Sequence, residues 1–325
     1  MKRVAALVAA LILLPAMPAF ADDHELCRFA NDTLTEISGI ATSTTHENIV
    51  WAHNDSGGGP YVYAVDITNC RIKAKLTLGN TDARDFEAIA VGKDRIWLAD
   101  IGDNLDSWSN VELLSFKEPK ALRDATITPQ KYRFTYDDRP HNAEAIMVDP
   151  NTNQVWIITK QLAHGSLYKL PNPLSTAHVN IATKLKRQGG LVTDASIAPD
   201  ASRYVVRDYV DAKLYQGLPP GKKAGEIVLP IQFQGEAITW TADSSALIIA
   251  SERDRAILQV ELPEPDPTPS QTSTGSKQPT PTTSPSPSPE PRPNDTARIV
   301  PVLVASVVVL VLLGGFWLLL KRRRM

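Results

Sequence analysis

Cysteine is nearly absent: Cys27 and Cys70 are the two among 325 residues. In an oxidising compartment an even pair of this kind forms a disulfide rather than a metal or catalytic site. The chain also lacks a dominant charge, with 34 Lys and Arg against 36 Asp and Glu. No basic block stands outside the last five residues, which argues against nucleic acid as a partner. A Gly-x-Ser-x-Gly nucleophile turn is missing, and the six histidines are scattered. A sortase-type Leu-Pro-x-Thr-Gly signal is missing too, which disfavours covalent attachment to a wall.

The two ends carry what the middle lacks. Lys2 and Arg3 precede an apolar run, and Ala19, Phe20 and Ala21 offer small residues at a cleavage site. Residues 1–21 therefore read as a signal peptide, with the mature chain starting at Asp22. Residues 299–320 are apolar and free of charge; about 22 residues at ~1.5 Å each cross a hydrocarbon core of ~30 Å. The basic tail, residues 321–325, places the C-terminus in the cytoplasm and the body outside, as a single-pass protein of the cell membrane. Between them, residues 263–298 are rich in Pro, Ser and Thr and read as a stalk with a reach on the order of 100 Å.

Residues 22–262 contain a repeat. Five times a polar residue precedes Gly or Ala at the head of an apolar run: Ser38-Gly39-Ile40, Glu87-Ala88-Ile89, Glu144-Ala145-Ile146, Asp194-Ala195-Ser196 and Glu236-Ala237-Ile238. A second apolar run follows each, at 51–55, 97–100, 156–160, 204–208 and 247–252, and ends in polar residues. Short-strand units at this period predict an all-β fold, a β-propeller with five blades. The long interval between the second and third motifs leaves room for a sixth. In the second unit the turn signals predict strands at 86–91, 95–99, 111–116 and 131–136. The last unit is one strand short, and residues 25–29 are free to complete it and close the ring. Closure places Cys27 beside Cys70 on the first blade, where a disulfide would contribute roughly 2–4 kcal/mol. The fourth motif, with Ser196 in place of Ile, predicts either an inner strand shifted by one residue or weaker packing there.

Antiparallel pairing within each blade puts the start of the first strand and the end of the second on one face. Glu87, Glu144, Asp194 and Glu236 then ring the channel mouth, with Asn54, Asp55, Asp100, Lys160, Arg207, Asp208 and Glu252 in the surrounding loops. Such carboxylates either accept backbone N–H groups or, crowded together, need Lys160, Arg207, a proton or a cation such as Ca²⁺ to neutralise them. Asp100, Asp103 and Asp106 crowd one tight turn, which suits a hard cation as well as it suits ordinary turn chemistry. The metal candidates are thus Asp100, Asp103, Glu87, Glu144 and Glu236. The ligand-binding candidates are Asn54, Asp55, Lys160, Arg207, Asp208 and Glu252. His53 and His141 fall on the same face, and Glu87, Glu144 and His141 are the candidates for acid–base work.

The segments Ser38-Gly39-Ile40, His53-Asn54-Asp55-Ser56-Gly57, Asp85-Phe86-Glu87-Ala88-Ile89 and Ala99-Asp100-Ile101-Gly102-Asp103-Asn104 resemble bacterial extracytoplasmic propellers of the phytase-like and esterase-like group, and more loosely the YVTN/NHL-type repeats. The phytase-like resemblance implies Ca²⁺ at the channel face, with Glu87, Asp100, Glu144 and Glu236 in the ligand positions. The matching phosphate-binding basic patch is reduced to Lys160 and Arg207. Three functions compete: a surface propeller that binds an extracellular ligand or protein, a Ca²⁺-dependent phosphoester or ester hydrolase, and a glycoside hydrolase using Glu87 and Glu144.

Overall fold

Runs rich in Val, Ile, Trp and Tyr, broken by Gly, Asn and Asp, form twenty-one strands among the described residues of the computed structural model. Those residues are 23–262 except Ser56, Gly57 and His164. The signal peptide, stalk, membrane span and tail expected from the sequence lie outside them. No helix among the described residues is long and apolar enough to cross a membrane. The chain divides into two units, Met1–Asp266 and Pro267–Met325, and all of these strands belong to the first.

After β1 (Asp23–Arg28), strands come in groups of four. The first group is β2 (Ile37–Thr42), β3 (Ile49–Asn54), β4 (Tyr61–Asp66) and β5 (Arg71–Leu78); the second begins with β6 (Phe86–Val91), β7 (Arg95–Asp100) and β8 (Val111–Lys117). Short β9 (Ala125–Ile127) runs parallel to β5, and β10 (Gln130–Tyr136) completes the second group beside β8. The third group is β11 (Ala143–Val148), β12 (Val155–Thr159), β13 (Ser166–Lys169) and β14 (Asn180–Arg187). The fourth is β15 (Asp194–Ile197), β16 (Arg203–Arg207), β17 (Asp211–Gln216) and β18 (Lys223–Val228). The last, β19 (Gln234–Trp240), β20 (Ala246–Glu252) and β21 (Ala256–Glu261), takes β1 as its fourth strand, antiparallel to β21. The N-terminal segment thus closes the final sheet, as the missing strand requires. The long second interval hides one strand, β9, which extends the first sheet instead of building a group of its own. A parallel pairing of β10 with β14 joins the second and third groups into one eight-stranded sheet.

The first strands of the groups pack in a cycle, β2 on β6, β6 on β11, β11 on β15, β15 on β19 and β19 on β2. This is a propeller-like arrangement, and the repeat motif explains it physically. Ala88, Ala145, Ala195 and Ala237 are fully buried or nearly so where these strands crowd, so only a small side chain fits. The buried apolar residues form five clusters, each shared by one group and the next. One of them, around Ile40, Val50, Ile248 and Ile257, contains both cysteines. Cys27 and Cys70 form a disulfide that ties the closing strand to the first group.

Candidate functional site

Strand register shows what the acid of the motif does. In β2, Ile37 pairs with Asn54 and Gly39 with His53, so Ser38 has no partner across the ladder. Glu87 in β6, Glu144 in β11 and Glu236 in β19 are skipped in the same way. Each is the extra residue of a β-bulge, a device that bends the strand and re-aims a side chain. The first strand pair of the fourth group has no bulge: Asp194 pairs in register with Arg207. Its carboxylate accepts the backbone N–H groups of Ala195 and Ile238, both at 2.8 Å. The predicted one-residue shift is thus the absence of the bulge, and Asp194 stitches the fourth group to the fifth. Burial raises its pKa well above the carboxylate range, against the pull of those two donors and Arg207.

The three bulged acids have no such backbone partners among the described residues. Glu144 is held by Lys160 Nζ at 3.0 Å and by Asn142 Nδ2 at 3.3 Å. Glu236, 4% exposed, accepts Gln234 Nε2 at 2.8 Å through Oε1, while its Oε2 is buried without a partner. Glu87 lies with Asp55 and Asp85, carboxylate oxygens of all three falling within 4.8 Å of one another. Gly102 makes room for this cluster: a Cβ there would sit 2.5 Å from Asp85 Oδ2 and collide with Glu87 Oε1. Asn104 Nδ2 also donates to Asp85, at 2.9 Å.

Crowding sets the protonation of the mouth. Burial, followed by the charges of Asp55 and Glu144, pushes Asp85 up to about 7. Burial and then Glu144, Asp55 and Asp85 push Glu87 well above its ordinary range. Glu236 rises to about 8 through burial, with Glu144 adding to the shift and Lys160 opposing it. Glu252 rises to about 7 through burial and then Asp55 and Glu36. Burial alone would lower Lys160, yet Glu144, Glu236, Tyr209 and Glu87 hold it well above the usual lysine value. Lys160 thus acts on Glu87, Glu144, Glu236 and Glu252, the last of which Arg253 also opposes.

Other candidates serve the scaffold. Asp100, expected as a metal ligand, instead accepts the Asp85 backbone N–H at 2.8 Å and Arg84 Nε at 2.9 Å. Asp103 accepts Trp108 N at 2.7 Å; both acids are spent on turn donors and do not join Glu87, Glu144 and Glu236. Arg207 is buried, its guanidinium donating to the Ala237 carbonyl at 2.8 Å and to Gln232 Oε1 at 3.0 Å. Gly235 is there because a Cβ would strike that guanidinium. Asp208 accepts Val210 N and Asp211 N, each at 2.9 Å, as a turn acid does. Asn54 donates to the Thr33 carbonyl at 2.8 Å. The ring nitrogens of His141 meet Asp138 at 2.8 Å, Tyr168 at 2.8 Å and Gln161 at 3.1 Å in the core between the second and third groups. His53 is fully buried and lowered by burial to about 4, its Nε2 lying 2.5 Å from where a Gly39 Cβ would stand. Hence Gly39, not Ala, opens the first repeat.

Gly102 offers a direct check. Gly102→Ala should lower unfolding stability by roughly 1–3 kcal/mol, the usual cost of overpacking. Gly190→Ala, whose Cβ would meet open space, should change it by less than about 0.5 kcal/mol. Urea unfolding of both variants measures this, and equal midpoints would mean the carboxylates move aside freely.

No family model and no curated protein matches this chain. Among solved structures it is similar to a chain of one titled "Crystal Structure of Mitotic Checkpoint Complex", at 9% identity and a TM-score of 0.38. That match covers 68% of this chain and 62% of the other, so this chain spans less than two thirds of its length.

Proposed function

We propose that this chain is a five-bladed propeller, displayed outside a cell membrane on residues 263–320, which binds an extracellular ligand through its acidic mouth. The cyclic packing of five first strands and the five shared cores support the blade count. One observation carries the binding role: three bulges turn Glu87, Glu144 and Glu236 away from backbone donors and gather them around a single Lys160. A positively charged ligand group neutralises such a set. Ca²⁺ suits Asp55, Asp85 and Glu87, because hard cations take carboxylate oxygens.

A thermal-shift titration of the detergent-solubilised full chain with Ca²⁺ and EDTA tests this. Saturation at about 100 times Kd adds about 2.7 kcal/mol, and thus several degrees in Tm. Glu87→Ala should abolish the shift and Glu144→Ala should reduce it. A Tm indifferent to Ca²⁺ in the unaltered chain would remove the cation from the proposal.

The hydrolase is the second reading, favoured by one contrast: Glu236 holds its proton near neutral pH beside a Glu144 paired with Lys160. An acid that holds its proton next to a carboxyl group paired with a lysine is the arrangement that general acid–base catalysis uses. With Arg207 committed to carbonyls, Lys160 is the sole cation left among the described candidates for a phosphate. Turnover of phosphoester or ester substrates that Glu236→Gln abolishes would favour this reading over simple binding.

A further inference from the structure

The mouth face carries apolar side chains as well as acids. Five of the eight large hydrophobic residues exposed among the described residues stand on its loops: Leu105 between β7 and β8, Leu162 between β12 and β13, Val210 between β16 and β17, and Ile231 and Phe233 between β18 and β19. The other three, Val179, Ile181 and Leu185, lie on or just before β14 at the circumference. Single exposed apolar residues are ordinary; several around one mouth mark an interaction surface. Ile231 is fully exposed and Leu162 is 83% exposed.

The loop bearing Ile231 and Phe233 is held in place. The Phe233 N–H donates to Asp254 Oδ2 at 2.9 Å, and Arg253 lies 5.2 Å over its ring. The loop leads directly into β19, where Gln234 pairs with Glu252 and the next-but-one residue is Glu236. The buried Oε2 of Glu236 is an unpartnered acceptor beside this apolar loop. Lys160 does not satisfy it, being 3.0 Å from Glu144.

We propose that the partner is a protein which inserts one Lys or Arg side chain against Glu236 and Glu252 while its flanking apolar residues rest on Val210, Ile231 and Phe233. This rests on the mouth being the ligand site and names the class of ligand. A basic side chain supplies N–H donors to the unpartnered Oε2, and its positive charge favours the ionised forms of Glu236 and Glu252, which an acidic or neutral side chain does not do. Apolar rim contacts exclude water around that pair, as surrounding contacts do at a binding hot spot. The subsite neighbours the Asp55, Asp85 and Glu87 cluster, with the charge of Asp55 acting on Glu252.

The test is selection from a random seven-residue peptide library displayed on phage, against the full-length chain in detergent micelles. Enriched peptides should carry Lys or Arg next to aromatic or aliphatic residues. A synthetic copy should bind at least about tenfold more weakly once its basic residue is replaced by norleucine, and equally so to Glu236→Gln. Ile231→Ser/Phe233→Ser, two exposed side chains, should also weaken binding at least about tenfold with the Tm of the chain unchanged. Enriched peptides without a basic residue, or binding unchanged by these variants, would overturn the proposal. Ca²⁺ stabilisation lost in Glu87→Ala, with no such peptide selected, would overturn this partner while leaving the mouth as a ligand site. Failure of both arms would overturn the mouth as well.

Discussion

Unfolding free energy should fall as pH rises from about 6.5 to 8. An unfolded carboxyl group has released its proton by about pH 5, whereas Glu236 keeps its proton until about 8 and Asp85 and Glu252 keep theirs until about 7. In that window the folded protein binds more protons than the unfolded chain, and each retained proton costs ~1.4 kcal/mol per pH unit of increase. Below about 6.5 the slope is opposed by His53. Its folded value near 4 means that its contribution is present above 6.5 and is lost as pH falls towards 4. Lys160, raised, keeps its contribution throughout and adds no slope. Asp85 adds to the rise of Glu87, so the slope belongs to the mouth more than to a single residue. Urea midpoints at pH 6.5, 7 and 8 measure it. Glu236→Gln should make the fall shallower by about one proton, and a stability that rises with pH would show the mouth ionised in the folded state.

Removing the disulfide should have the other large effect. Cys27 and Cys70 are 43 residues apart, and cross-linking a loop of that length restricts the unfolded chain by about 4 kcal/mol. Against a total stability of ~5–15 kcal/mol this is a large share. The location makes the loss structural as well as entropic. β1 is tied to β21 by a single ladder that skips a residue between Glu25 and Cys27, and the bond fastens it to the neighbouring group. Cys27→Ser/Cys70→Ser should lower the urea midpoint accordingly, with proteolysis beginning in residues 23–36. Equal midpoints with and without reductant would show that β1 is held by its ladder and core alone.

The repeat made the fold legible because packing repeats: Ala88, Ala145, Ala195 and Ala237 meet the same crowding in each group. The strands predicted at 86–91, 95–99, 111–116 and 131–136 coincide closely with β6, β7, β8 and β10. What the repeat concealed is register. Glu87 and Asp194 occupy equivalent motif positions, yet one is a bulge and the other a paired residue, and that difference depends on the partner strand. Asp85 belongs to the site but was hidden in the sequence, since it precedes its strand and recurs in no other unit. The doublet of acids around Phe86 was its one local signal. Asp100 and Asp103 show the converse: a dense run of turn acids looks like a cation loop until each backbone N–H nearby is counted.

Closure of the ring by β1 also bears on mechanical load. Tension entering the described domain at its C-terminal edge, residue 262, reaches β21 first, a strand hydrogen-bonded to β20 on one side and to β1 on the other. It must shear two ladders together before any sheet opens, and the covalent link from β1 passes part of the strain into the first group. A ring closed this way resists a pull at residue 262 better than one whose last strand lies at a free edge.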